Sequence, residues 1–309
     1  MSDGASPPWR FDRGWFVPMP AERLAALRIL IGTLSVIYVL ARAAPLLTSV
    51  RNSPWQFRPV GALAMLSGAP PSWLVIAVLV VALPLGVAFV LGWRWRWCAP
   101  AFACALLWLS SLRNSWGMIF HTDNLMVLHV IVLALSRAAD AWSLDARDRD
   151  APAPHGRYGA PIRLLAGITV ATYLIAGIAK LSVAGFGWVT SDALRTFVAY
   201  DNLRKAELGD LHSPLGVMML RHAWMFPPLA AVSLAIELGS PLALLHPRLA
   251  RWWCAAAWSF HVGVAVIMWI VFYYPMSGLS FAPFLAPERW LARVAARVHR
   301  RPSRPARPR

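Results

Sequence analysis

Lys180 is one of only two lysines in a chain of 309 residues, and it lies in an otherwise apolar stretch, Leu164 to Val183. A lysine in hydrocarbon costs several kcal/mol unless it is paired or faces a cavity. A lysine so placed can give up its proton and act as a general base. Two readings of Lys180 stand open. Its ammonium could snorkel to the nearest membrane interface, or it could face a ligand or a neighbouring helix across Ala176 and Gly177, one turn earlier. His121, Asp123 and Asn124 open a second apolar stretch that ends at Ser136. A carboxylate in a first helical turn is also favoured by the helix dipole, so Asp123 has a structural reading beside a proton-linked one. Glu237 sits in the middle of a further apolar stretch and needs an Arg, Lys or His partner across the bundle. Arg28, in the first stretch, is a candidate partner for Glu237 or Asp123. His129 and His261 lie deeper and could ligate haem if the fold opposes them. Cys98, Cys104 and Cys254 show no CxxC or other metal-type spacing, which reads as packing and leaves no metal site expected. HExxH, P-loop, GxSxG and GxGxxG signatures are absent, so the enzyme classes they mark have no foothold.

The elements that must hold these residues are membrane helices. The chain is 58% apolar and 14% charged, with mean hydropathy +0.53; a soluble domain of this length carries nearer a quarter charged residues. Its 17 Trp outnumber its 14 acids, which suits membrane interfaces. The charge of +16 comes almost wholly from Arg. Aromatic and basic residues are not interleaved on a polar face, so anionic lipid is the expected counter-charge and nucleic acid is not. Expected spans run from about Leu24 to Leu47, Trp73 to Trp93, Arg96 to Arg113, Asn114 to Ser136, Leu164 to Val183 and Pro227 to His246. Each is near the ~20 residues that cross a ~30 Å hydrocarbon core. Residues 252–287 form an uncharged run too long for one crossing. Pro275, with Ser277 and Gly278, is the expected break, giving one full span plus a short crossing or re-entrant piece. No internal repeat supports a transporter of inverted halves.

The fold class that follows is all-α, a polytopic transmembrane bundle of seven or eight passes over residues 22–288. An interfacial segment precedes it (1–21, with Trp9, Phe11, Trp15 and Phe16) and a basic tail follows (289–309). No signal peptide is recognised at the start of the chain. Arginines gather in alternate loops and in the tail, so the inner cell membrane with both termini cytoplasmic is expected, which favours eight passes. In the tail, Trp290, Leu291, Val294 and Val298 fall at helical spacing opposite arginines, as in a basic helix lying on lipid and followed by a disordered Pro/Arg end. This topology puts His121, Asp123 and Asn124 in the same leaflet as Lys180.

The string YLIAGIAKL (Tyr173–Leu181), followed by Gly187 and Trp188, resembles a helix of the vitamin K-dependent γ-carboxylase family and its bacterial HTTM (horizontally transferred transmembrane) relatives. Asn114 to Asp145, ending in Trp142-Ser143-Leu144-Asp145, is similar to the family's His-bearing helix entry and the segment after it. Phe260-His261, with its apolar run to Phe281-Ala282-Pro283-Phe284, resembles the last His-containing helix. The likeness covers most of residues 15–290. It implies that Lys180 is the base that deprotonates a reduced vitamin K- or menaquinone-like quinol, with His121 in support. Asn124, Trp188 and His261 would line the cofactor, and Asp123 and Glu237 would be structural or proton-linked. Two departures accompany it. Ala179 stands where the carboxylases have a second lysine. Their large extra-membrane region, which holds propeptide and glutamate substrate, has no counterpart expected before Arg309.

Three functional classes follow. The first is a quinone- or lipid-dependent enzyme of carboxylase type, a carbon–carbon lyase in class. The second is an accessory HTTM protein that binds lipid or a peptide partner, as in peptide-toxin maturation. The third is a haem- or quinol-linked electron carrier.

Overall fold

The computed structural model describes residues 14–117 and 119–299, apart from the side chains of His121, Thr122, Ala295, Val298 and His299. The expected surface aromatics Trp9 and Phe11 and the Pro/Arg end from residue 300 lie outside that range. The described chain is helical, without strands, and its one β-bridge joins Met19 to His155. The twelve α-helices described run in order as α1 (Ala21–Ser49), α2 (Ser72–Leu91), α3 (Trp95–Asn114), α4 (His121–Ala134), α5 (Gly156–Ala184), α6 (Gly187–Thr190), α7 (Ala193–Glu207), α8 (Pro214–Met219), α9 (Phe226–Leu238), α10 (Pro247–Met268), α11 (Tyr273–Met276) and α12 (Pro287–His299). Among the described residues α1, α2 and α5 are long and apolar enough to cross a membrane; stretches of α4 and α9 are apolar but shorter. At 14 residues α4 is about 21 Å long. The long helices α3 and α10 carry arginines near their ends, Arg96 and Arg113 in one, Arg248 and Arg251 in the other.

Short polar devices set the helix ends. The Asp145 carboxylate accepts from Arg94 N and Trp95 N, both at 2.8 Å, and so caps α3 from a distant loop. His155 and His246 each accept with Nδ1 from the backbone two residues on, opening α5 and α10. Pro247 fills the first position of α10, where its missing N–H is not needed.

One end of the bundle, here the near end, gathers the start of α1, the α2–α3 turn, the connector after α4, the start of α5, and α12. Met19 and His155 exchange backbone bonds of 3.3 and 3.1 Å, so α1 and α5 begin side by side. Arg23 binds Glu288 at 2.8 Å, which pins α12 to the first turn of α1. Arg28 is fully buried here. It pairs with neither Glu237 nor Asp123: its guanidinium donates to the carbonyls of Ala138 (2.7 Å), Ala141 (3.3 Å) and Trp142. Arg is suited to this because its fork can satisfy several carbonyls at once where the chain leaves α4. Gly92 ends α2 with φ +62, and a Cβ there would lie 2.4 Å from Ser143 Cβ and 2.7 Å from Arg28 Nη1. Both strain and overlap oppose any side chain, so Gly92→Ala should lower stability by about 1–3 kcal/mol, measurable as a fall in Tm in detergent.

The main core joins α1 to α4 with the first half of α5. Smaller apolar clusters join α5 to α10 and to the 3-10 turns, and α9 to α6 and α7. The expected sixth span is divided: α9 stops at Leu238, and Gly239, Ser240 and Pro241 turn it into a 3-10 segment, Ser240–Leu244. The uncharged C-terminal run breaks earlier than Pro275. α10 ends at Met268, and Trp269 takes a left-handed conformation, φ +52. Pro275 instead lies inside the single turn α11. From Tyr273, whose ring lies 5.5 Å from the Arg42 guanidinium, to Glu288 on Arg23, the chain runs back along α1. Nineteen helical steps separate Arg42 from Arg23, about 28 Å. This stretch contains α11 and a 3-10 helix, Leu279–Phe284, and Tyr274, Pro275 and Ser280 to Pro283 are buried in it.

Candidate functional site

Lys180 lies four residues before the end of α5, and its ammonium pairs with the Glu237 carboxylate of α9. Gly177 makes the pairing possible. It sits one turn before Lys180, and a Cβ on it would come within 2.9 Å of Leu238 Cδ2 and 3.0 Å of Glu237 Cβ. The space beside Lys180 is therefore filled by a neighbouring helix. Gly177→Ala should push α9 away and loosen the pair, at a cost of about 1–3 kcal/mol, seen as a lower Tm whether or not ligand is bound. The ammonium also lies 5.1 Å from the Trp188 ring centroid and 5.9 Å from that of Phe260, both in cation–π range.

Phe260 leads to the next histidine. Its ring is 5.2 Å from that of His261, which is 93% buried, and His261 Nε2 meets the Tyr173 hydroxyl at 2.6 Å. Tyr173 stands two helical turns before Lys180, on the same side of α5. Three polar atoms around this cluster have no hydrogen-bond partner among the described residues: Glu237 Oε2, His261 Nδ1 and Trp188 Nε1. Their residues are each at least nine-tenths buried. Buried polar groups are nearly always bonded; of the nine buried side-chain atoms left without a hydrogen bond among the described residues, these three belong to this one cluster.

A second polar cluster lies where α3 ends and α4 begins. Asp123 pairs with Arg113 and accepts from the Tyr38 hydroxyl at 2.5 Å. Arg113 also stacks on Phe120. Asn124 accepts from Asn114 Nδ2 at 3.3 Å, and Asn114 Oδ1 accepts from Phe120 N at 3.0 Å. His121 begins α4 beside this cluster; its side chain is outside the described range. Among the described residues no hydrogen bond or ion pair joins Asp123 or Asn124 to Lys180. Between the clusters runs the segment after α10. Phe272 touches His261 (5.1 Å), Tyr273 meets Arg42, and Tyr274 binds His129 Nδ1 at 2.6 Å. The other His129 nitrogen faces Leu165 O and Thr169 Oγ1, at 3.1 and 3.2 Å. With both ring nitrogens engaged, His129 serves as a packing bolt between α4, α5 and α11 and presents no lone pair to iron. Among the described residues no group of three His, Cys, Asp or Glu side chains is placed to hold a metal ion.

Residues 16–290 match the family model described as the HTTM domain, which takes in both clusters and the three described helices long and apolar enough to cross a membrane. The chain belongs to the HTTM family. No curated protein and no solved structure matches it. Within this HTTM domain the sequence-derived residues divide in two. Lys180, Glu237, Trp188 and His261 come together, whereas Asp123 and Asn124 belong to the α3–α4 cluster. Sequence reasoning missed Tyr173, Phe260, Arg113 and Tyr38. Only Tyr173 carried a signal, its seven-residue spacing from Lys180, which places both on one helical face.

Proposed function

We propose that this HTTM protein is a membrane-embedded acid–base enzyme of carboxylase-like type, with the Lys180–Glu237 pair at its centre and a lipid-phase, hydroxyl-bearing ring compound as its ligand. The observation that carries the proposal is the trio of orphaned buried atoms, Glu237 Oε2, His261 Nδ1 and Trp188 Nε1, beside the paired ammonium. They fit a reduced quinone. Glu237 Oε2 can accept from one hydroxyl, Trp188 Nε1 can donate to an oxygen, and the Trp188 and Phe260 rings offer flat apolar faces. When bound, such a quinol supplies an acidic hydroxyl and reducing equivalents. The chain's part is to move the proton. A paired ammonium is no base, but its hydrogen bond to Glu237 Oε1 gives the proton a place to go. Transfer from Nζ to Oε1 would leave an uncharged amine beside a neutral carboxyl, with no change in the net charge of the pair. Lys180 can then take a proton from the ligand, and Glu237 holds the first one for return. Tyr173 orients His261 through the 2.6 Å bond.

The membrane frame of this proposal is an eight-traversal bundle in the inner cell membrane. Residues 273–288 make the last traversal as turns and 3-10 helix, an irregular backbone that is tolerated at membrane depth because protein buries it. The near end, which carries Arg94, Arg96, Arg137, Arg147, Arg149, Arg157 and α12, is cytoplasmic by the positive-inside tendency. There α12 meets anionic headgroups with Arg289, Arg293 and Arg297.

The test is mass spectrometry of lipophilic molecules that co-purify with wild type, Lys180→Ala and Glu237→Gln. A quinone-like molecule held by wild type and lost from both variants is the expected result. If phospholipid alone appears, and equally in all three, the enzyme reading falls. The chain is then an accessory HTTM protein that binds lipid or peptide, with the Lys180–Glu237 pair as helix glue.

A further inference from the structure

We propose that residues 186–222 are a re-entrant layer sunk into the far leaflet of the membrane, with the outer face of α7 against lipid acyl chains. In the sequence this region has the composition of a water-exposed loop, since it holds Asp192, Arg195, Asp201, Arg204, Lys205, Glu207 and Asp210. The middle of α7 reverses that expectation. Phe197 (57%), Tyr200 (67%) and Leu203 (60%) are exposed there, while Asp201 (9%), Asn202 (3%) and Lys205 (7%) are buried; the exposed charges Asp192, Glu207 and Asp210 lie at or beyond its two ends. A helix on a membrane surface in water turns its polar face outward. Here that face is spent on protein.

What it is spent on is the broken end of α10. Ending at Met268 leaves carbonyls without helical partners, and such groups cost several kcal/mol each in hydrocarbon. Lys205 Nζ donates to Met268 O at 2.5 Å and pairs with Asp201 at 2.7 Å. Ser213 Oγ donates to Val266 O at 2.6 Å, and Ser213 N is held by Asn202 Oδ1 at 2.7 Å. Lys205, held by Asp201, and Ser213 thus stop a helix that ends without water.

Depth follows from α9. Glu237 is level with Lys180, and Phe226, eleven residues earlier, packs with Val198 and Met219 of the layer and with Ile267 and Met268 of α10. Eleven helical steps are about 16 Å, close to half of a ~30 Å hydrocarbon core. From Arg248 to Met268 is a further twenty steps, about 30 Å, so α10 reaches the far boundary at the level of Phe226. The layer therefore fills the space between the Lys180 pair and that boundary. Trp188, over the Lys180 ammonium, stacks on Phe197 of α7 at 5.7 Å. The flank of α5 formed by Ile175, Ile178 and Val183 is likewise apolar and exposed, on a helix long and apolar enough to span. Acyl chains are accordingly the occupant of this face. This placement holds whatever chemistry Lys180 performs.

The test uses the full chain in lipid nanodiscs, with Cys98, Cys104 and Cys254 replaced by Ala and a nitroxide attached in turn at Tyr200→Cys, Leu203→Cys, Val80→Cys and Asp148→Cys. Val80 is exposed on the spanning helix α2, and Asp148 is exposed in the polar connector. Collisions with oxygen report lipid, and collisions with a water-soluble nickel chelate report water. Labels at 200 and 203 are expected to match the one at 80, relaxed by oxygen and shielded from nickel. If they match the one at 148 the layer is a water-exposed loop and the proposal is overturned. Spin–spin broadening at 200 and 203 that disappears on dilution with unlabelled protein would make the occupant a second copy, and would overturn it equally.

Discussion

Lys180→Met should destabilise the protein by about 3–5 kcal/mol, more than any other substitution in the Lys180 cluster. The reason lies with its partner: Glu237 is 97% buried between α5 and α9, and loss of the ammonium leaves its carboxylate uncompensated. Glu237→Gln should be milder, because an amide oxygen can still accept from the lysine and the Lys180 side chain keeps some access to its surroundings. The double variant Lys180→Met/Glu237→Met should recover most of the loss, since replacing a buried ion pair by apolar residues is often neutral. Thermal unfolding of the four proteins in one detergent measures the coupling. A double variant as unstable as Lys180→Met alone would show that the stranded carboxylate is not the cause. The same proteins separate stability from chemistry: a double variant that is stable yet retains no ligand is the signature of a working pair.

Arg28→Met should lower stability by at least about 3 kcal/mol and expose the connector after α4 to protease. Arg28 lies wholly inside the near end, and its guanidinium is the shared partner of the carbonyls of Ala138, Ala141 and Trp142. Without it two buried acceptors and a partly buried third lose their donor together, and Trp142, with φ +49, has less to hold its strained turn. Arg28→Lys should rescue little, because one compact ammonium on a different stem cannot reproduce the fork. The readouts are Tm and the rate of trypsin cleavage near Arg147 and Arg149. Wild-type behaviour of Arg28→Lys would refute the bridging role.

The contrast between these residues and the helices that hold them shows what could be read in advance. The bounds of α1 and α2 fall within a few residues of the expected spans, and those of α3 within one at each end. α5 contains its expected span and extends eight further residues into the near-end polar region. These elements were legible because a membrane helix satisfies its backbone within itself, so a run of apolar side chains of the right length is nearly a sufficient condition. The tail helix was legible too, from arginines alternating with Trp290, Leu291 and Val294 at helical spacing.

Elsewhere the same reasoning stopped short for identifiable causes. The left-handed stop at Trp269 has no glycine or proline to announce it, and the more conspicuous Pro275 drew the expected break six residues too late. The periodicity of α7 shows two faces but is silent on which one meets lipid; only the broken end of α10, with carbonyls in need of donors, turns Asp201, Asn202 and Lys205 inward. Arg28 could not have been assigned from sequence, because its partners are backbone carbonyls and every residue has one.

The sequence by itself therefore determined a helical membrane protein, the three helices α1, α2 and α5 that are long and apolar enough to span, and the ionisable residues within its apolar stretches, because those follow from local hydropathy and from hydrogen bonds closed within a segment. The tertiary structure alone decided that Lys180 meets Glu237 across 57 residues, that Asp123 goes to Arg113 instead, and that His129 is bolted shut while His261 keeps a nitrogen to offer. Those outcomes depend on which helix a glycine such as Gly177 lets come close, and a distance between chain-remote helices is not a property of either one.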